Sequence, residues 1–463
     1  MPHDLLLGTG LALGSLHAPE LLTAQGAFAS DDRLLAHVVG HRDGPIPLSY
    51  ALVAGTTALY ASFDALRLRW TEPRFVPGRV RRPLPPVLTD LADHPLTRRT
   101  LRLLGLALAV LTVTVLTTGY GGSALGLGTF FVVFWVGLVP ASLLFGPVWR
   151  LLNPLRTAHD LLCLLLRTDP REGLRPLPER LGHWPAAAGL LAFAWLELAS
   201  PDRDSAVPVL IWLWVYAAVQ LTAATLYGSR WFERGDAFEA YSTLIAAAAP
   251  LGRSADGRLA LRNPFDGLAA VRPTPGLTAT VCVMLAATAF DSVSNLGWWK
   301  RLTEDLPTSP ARTAGLLAVT LLVALLMALS GLGARRLARD ATWNTRLMAP
   351  SLIPISIGYV IAHYASVFLL EVQRFTDVFL VNGVHGSVHD GGVRPMTYAV
   401  PSPTVMSLVQ VAAVVTGHVL GVIAAHDSAV GALPRGRALW PQVPLFVAMV
   451  ALTLGGLALL YSG

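Results

Sequence analysis

Residues 349–371 read APSLIPISIGYVIAHYASVFLLE, and this stretch decides the fold. Twenty-two residues pass before the first carboxylate, Glu371. A helix rising about 1.5 Å per residue crosses a hydrocarbon core of about 30 Å in roughly 20 residues, so the segment has the length and composition of a membrane span. Working outward, nine comparable stretches occur at roughly 48–66, 101–119, 129–147, 186–200, 207–226, 277–295, 314–333, 404–425 and 442–461. The expected fold is all-α: a polytopic integral membrane helical bundle of about ten transmembrane helices. The stretch 186–200 is the shortest, and the reading there is of a tilted or half-inserted helix.

Composition agrees. The chain of 463 residues is 53% hydrophobic and 14% charged, whereas soluble domains carry about a quarter charged residues. Without linkers between the spans, residues 37–463 form one transmembrane domain. The formal charge is +6, and a basic chain invites a nucleic-acid reading until the arginines are located. Segments 67–102, 148–184, 227–275, 335–348 and 426–441 hold 27 of the 35 Lys and Arg. Loops that retain positive charge stay in the cytoplasm, so the expectation is a multi-pass cell-membrane protein with an extracytoplasmic C-terminus, lipid as its surroundings and no nucleic-acid partner. Cys163 and Cys282 are the two cysteines, which excludes a disulfide framework and a CxxC site.

Residues 1–36 read as a signal peptide or an N-terminal helix. The apolar run Leu5–Leu16 is short for a span and lacks a basic flank, and Ala27-Phe28-Ala29 resembles a cleavage site. Asn153-Pro154 and Asn263-Pro264 recur in two basic loops as turn signals.

Within a bilayer, buried ionisable groups carry the information, because each persists only with a partner or a task. Glu197, Asp291, His363 and His418 lie inside spans. Glu371, His426 and Asp427 fall at span ends, where interfacial solvation is the expectation. Counting rise along each helix puts Asp291 about 7 Å and His363 about 5 Å to the outer side of the midplane, with Glu197 near Asp291. His418 falls about 5 Å to the inner side, in another layer. Ser356, Tyr359, His363 and Ser366 form one helical stripe, and Thr288, Asp291 and Asn295 another. Gln410, Gly417 and Gly421 give a small-residue face suited to close packing.

Histidine with carboxylate suits a divalent metal such as zinc or copper, or a proton relay. Asp291, His363, His418 and His37 are the candidate metal ligands. His37 with His41 and His385 with His389 are each spaced by four, which places both rings on one side of a helix. HExxH, GxSxG, Walker A and GxGxxG motifs are absent from the sequence, removing the zincin, serine-hydrolase-elbow, P-loop and dinucleotide readings.

Several segments resemble a family of actinobacterial polytopic membrane proteins labelled fenitrothion hydrolase-like. They are Ala36-His37 to Arg42 with Pro45-Ile46-Pro47, Gly235-Asp236-Ala237-Phe238-Glu239, Leu261 to Leu268, Thr288-Ala289-Phe290-Asp291-Ser292, Ala362-His363-Tyr364, and Gly417 to Val422 with Ala425-His426-Asp427. The family's His-Gly-Ile-Gly-Gly-Arg start is His37-Val38-Val39-Gly40-His41-Arg42 here. The resemblance implies a membrane-bound hydrolase of organophosphate triesters, admitted as small apolar substrates from the outer leaflet. Triester hydrolysis needs an activated water and a polarised phosphoryl oxygen, both of which a metal supplies. Asp291, His363 and Glu197 are then the catalytic candidates: Asp291 and His363 as ligands or as base and orienter, Glu197 as ligand or general base. The competing classes are a cation- or proton-coupled transporter, for which His418 below the outer layer would extend a relay, and a non-catalytic membrane subunit.

Overall fold

The computed structural model describes residues 46–120, 123–338, 348–382, 399, 401–433 and 439–462. Residues 1–36, His37, His41, His385 and His389 lie outside them. All ten apolar stretches are helical where described, and among the described residues eight helices are long and apolar enough to cross a membrane. The chain is an all-α polytopic bundle.

The first stretch is α1 (Leu48–Arg69), followed by a two-residue strand β1 (Arg82–Pro83) and a short helix α2 (Pro86–Asp93). Helix α1 has the length of a span but is diluted by Asp64 and by Ser, Thr and Tyr residues. Helix α3 (Pro95–Thr118) leads to a broken span, in which α4 (Ser123–Gly128) and α5 (Leu138–Phe145) flank a π-helical segment, Thr129–Val136. Then come α6 (Pro154–Leu166), α7 (Trp184–Leu198) and α8 (Ala206–Tyr227). Helix α7 falls short of a span, with 15 residues.

Helix α9 (Ala237–Ala247) precedes strands β2 (Leu251–Arg253) and β3 (Leu259–Leu261) and the short α10 (Pro264–Ala269). Five long helices complete the described chain: α11 (Leu277–Ser294), α12 (Thr308–Ala338), α13 (Ile353–Thr376), α14 (Pro403–Ala432) and α15 (Leu439–Ser462). The strands form one small antiparallel sheet in the order β1-β3-β2, with Arg82 opposite Leu261. Pro83-Leu84-Pro85-Pro86 joins the end of β1 to the start of α2.

Local chemistry explains the helix starts. Asn153 accepts from the amides of Leu155 and Arg156 at 2.9 and 3.3 Å with Pro154 as the first helical residue. Asn263 accepts from Phe265 at 3.2 Å with Pro264 behind it. The recurrence of Asn-Pro is thus helix capping, in which a side-chain oxygen takes an orphan amide and proline surrenders none.

Helices α11 and α13 are the most enclosed spans, while α3 and α8 lie largely at the perimeter. Close packing of α13 on α14 depends on small residues. A β-carbon on Gly417 would sit 2.6 Å from the Pro354 carbonyl oxygen and 3.3 Å from the Gly358 Cα. The expected small-residue face of α14 is where the two backbones meet.

Three residues depart from the expectation of interfacial solvation. Glu371, His426 and Asp427 are buried, because α14 runs past residue 425 to Ala432 and the chain after α1 folds across its end. Asp427 accepts from Trp70 Nε1 at 3.0 Å and from the amides of Arg74 and Phe75 at 2.7 and 3.3 Å. His426 contacts the Trp70 carbonyl oxygen at 2.9 Å and Gln442 Oε1 at 2.8 Å. Asp266 accepts from the Val76 amide at 2.9 Å. Residues 70–76 are thereby strapped to α10 and α14. The carboxylate of Glu371 lies against Gly128, where any side chain would collide with it, and 3.7 Å from Arg374.

Candidate functional site

Asp291 and Ser292 end the polar stripe of α11, and His363 and Tyr364 stand at the middle of α13. His363 Nε2 lies 2.8 Å from Asp291 Oδ2, and the Tyr364 hydroxyl donates to the same oxygen at 2.8 Å. The other ring nitrogen, His363 Nδ1, lies 3.3 Å from Ser292 Oγ. Since a carboxylate only accepts, Nε2 carries the proton toward Asp291 and Nδ1 is left as an acceptor for the serine hydroxyl. The serine oxygen also lies 3.3 Å from the Thr288 carbonyl, so its proton has two acceptors to choose from.

The pair is not sealed in. The side chains of His363 and Asp291 are 17% and 19% exposed, which leaves an approach for a reactant. Behind them the site is aromatic: Trp135 meets Tyr364 edge-on with ring centroids 5.2 Å apart and stacks near Tyr241 at 6.2 Å. Trp135 Nε1, Tyr241 Oη and Thr288 Oγ1 are buried without a hydrogen-bond partner among the described residues. A buried donor left unpaired costs about 1–3 kcal/mol, and the Trp135 and Tyr241 donors both lie in the aromatic wall beside Tyr364.

Glu197 on α7 stands within electrostatic range of Asp291, Tyr241 and Tyr364. Arg203, in the loop after α7, and Arg312, at the start of α12, bring positive charge to the same end. The structure thus brings Asp291 and His363 into direct contact, with Glu197 within electrostatic range of Asp291. His418 is elsewhere: its Nδ1 faces the Val414 carbonyl at 2.9 Å and its ring approaches Tyr359, in line with a separate layer. The stripe on α13 divides accordingly, with Tyr359 reaching the Leu452 carbonyl of α15 and His363 reaching α11.

For zinc or copper, Asp291 and His363 offer two adjacent donors. A catalytic zinc takes three protein ligands, and among the described residues no three His, Cys, Asp or Glu side chains come together to hold a metal. The donor set among the described residues does not make up such a site.

Sequence reasoning passed over Ser292, Tyr364 and Tyr241. Hydroxyls are uncharged, so they leave no mark in a search for intramembrane charge. Ser292 and Tyr364 each adjoin a residue that the search did find.

A second polar cluster lies outside the long apolar helices. Arg156 Nε and Nη2 donate to Glu239 Oε2 and Oε1 at 2.8 and 2.7 Å, and Asp236 caps α9 by accepting from the Glu239 amide at 2.7 Å. Burial and the neighbouring Glu239 charge push the Asp236 carboxyl up to about 7. Burial likewise pushes His183, ahead of α7, down to about 4.

Comparison of the chain with protein-family models, curated proteins and solved structures finds no match.

Proposed function

We propose that this chain is an intramembrane hydrolase in which His363 is the general base, Asp291 its orienter and Ser292 the nucleophile. The observation that carries the reading is the continuous hydrogen-bonded line from Ser292 Oγ through His363 to Asp291 Oδ2. A nucleophile beside a base, and that base fixed by a carboxylate, is the arrangement by which a neutral hydroxyl becomes reactive.

In the proposed reaction Ser292 Oγ attacks the phosphorus or acyl carbon while its proton passes to His363 Nδ1. Asp291 holds Nε2–H throughout and stabilises the imidazolium. The leaving alkoxide or aryloxide takes the proton from His363, and water releases the enzyme-bound ester by the same route in reverse. The unpaired donors of Tyr241 and Trp135 suit the oxygen on which negative charge develops. Glu197 and Arg203 set the local field. An apolar triester, the substrate class that resemblance to fenitrothion hydrolase-like proteins supplies, would enter sideways from the bilayer. Arginine-rich loops in the cytoplasm of a cell-membrane protein put this site near the outer leaflet.

A chromogenic nitrophenyl phosphotriester, offered to the purified chain in liposomes, tests the reading. Hydrolysis lost in Ser292→Ala and in His363→Gln supports it, and wild-type protein without hydrolysis of triester or carboxylic ester overturns it.

One observation favours a second reading, proton-coupled transport. Helix α9 carries Asp236 and Glu239 in one buried cluster and Tyr241 in the other, giving ionisable groups at two levels of the bundle. Proton flux through proteoliposomes without added ester would favour it.

A further inference from the structure

Two short helices outside the spans turn apolar faces outward. On α2, Thr89 accepts from the Leu259 amide and Asp93 holds Arg253 and Arg98, which ties its polar side to the sheet. Val87, Leu88 and Leu91 are left exposed. On α6, Arg156 and Asp160 face inward to Glu239 and Arg102, and Leu161, Leu164 and Leu165 are exposed. Both helices lie at the end of the bundle where α3 enters, since α2 ends at Asp93 and Arg102 is in the first turns of α3.

Beside α2 an open groove of about 520 Å³ lies on the surface at the paired strands β1 and β3, lined by Arg82, Arg258, Pro85 and Leu261 among others. Neither arginine is in a salt bridge among the described residues. Two guanidiniums in a groove next to an outward leucine face match a phosphodiester whose acyl chains run alongside. A soluble acidic protein would match the charge but would leave the leucines without a reason.

We propose that this end carries an anionic-phospholipid site: Arg82 and Arg258 hold the headgroup phosphate in this surface groove, and α2 lies in the membrane interface with Val87, Leu88 and Leu91 among the acyl chains. Guanidiniums near a membrane surface contribute enough that removing both lowers retention of an acidic lipid roughly tenfold or more. The site is independent of the Asp291 chemistry.

The test is native mass spectrometry of the full chain titrated with phosphatidylglycerol and, separately, with phosphatidylcholine. Wild type retains phosphatidylglycerol over phosphatidylcholine. Arg82→Gln with Arg258→Gln abolishes that preference, while Arg301→Gln, outside this groove, leaves it intact. Crosslinking of a photoreactive phosphatidylglycerol to α2 falls in Val87→Gln with Leu91→Gln, surface changes that leave the fold alone. The proposal is overturned if wild type shows no preference, if the double arginine variant keeps it, or if inorganic phosphate displaces the lipid as effectively as phosphatidylglycerol itself does.

Discussion

Asp291 Oδ2 receives His363 Nε2 at 2.8 Å, so α11 and α13 are joined by a carboxylate and an imidazole inside the apolar bundle. The Tyr364 hydroxyl donates to the same oxygen, which anchors the carboxylate that orients the ring of His363 from the side opposite Ser292. Asp291→Asn removes the charge that stabilises the imidazolium and lowers kcat/KM for triester hydrolysis by about 10²–10⁴. Tyr364→Phe leaves the dyad in place and lowers it by about tenfold. Steady-state kinetics on the two variants, each checked for monodispersity, measures the difference.

Asp427→Ala leaves three donors from residues 70–75 without their acceptor. A loss of about 2–4 kcal/mol follows, since unpaired partly buried donors keep their desolvation penalty. Asp427→Asn retains one acceptor oxygen and loses less. Thermal unfolding in detergent ranks the two.

The pH dependence of stability reports on Asp236. Its carboxyl titrates at about 7 in the fold against 3.8 in the free residue. The folded protein keeps the proton that the unfolded chain has given up, so this contribution is full below about pH 4 and is lost as pH rises to about 7. Asp236→Asn, which cannot ionise, is expected to flatten the stability profile across that window. Denaturant midpoints at pH 5 and pH 8, chosen as about the middle and the far side of the window, test it.

Gly417→Val drives a side chain into the Pro354 carbonyl and the Gly358 backbone. Backbone cannot give way as a side chain can, and the expected cost is about 1–3 kcal/mol. Gly455→Ala on α15 meets nothing within 4 Å and is expected to be neutral or stabilising by about 0.5–1 kcal/mol, from reduced backbone freedom. Melting temperatures of the pair separate packing from helix propensity.

The bundle was legible because each span advertises itself as an uninterrupted apolar run, as 349–371 does, whereas Asn153-Pro154 and Asn263-Pro264, read as turns, prove to be helix starts. The meeting of Asp291 with His363 was legible too, since depth along two helices follows from a constant rise. What the sequence hid was lateral contact. Depth alone does not tell that Tyr364 turns to Asp291, or that Ser292 reaches the far side of the imidazole. Asp427 and His426 were misread as solvated ends because their partners, Trp70, Arg74 and Phe75, lie some 350 residues earlier, in a segment without apolar periodicity. The three-strand sheet was missed for a similar reason: two- and three-residue strands are too short to alternate visibly.

The most direct test of Ser292 as nucleophile is reaction of the purified chain with a fluorophosphonate, followed by peptide mass mapping. Attack by Ser292 Oγ expels fluoride and leaves the phosphonyl group on that oxygen. The account predicts a single adduct on Ser292 that is absent in His363→Gln. Wild-type protein that hydrolyses triester yet carries no adduct there, or carries the same adduct without His363, would contradict it.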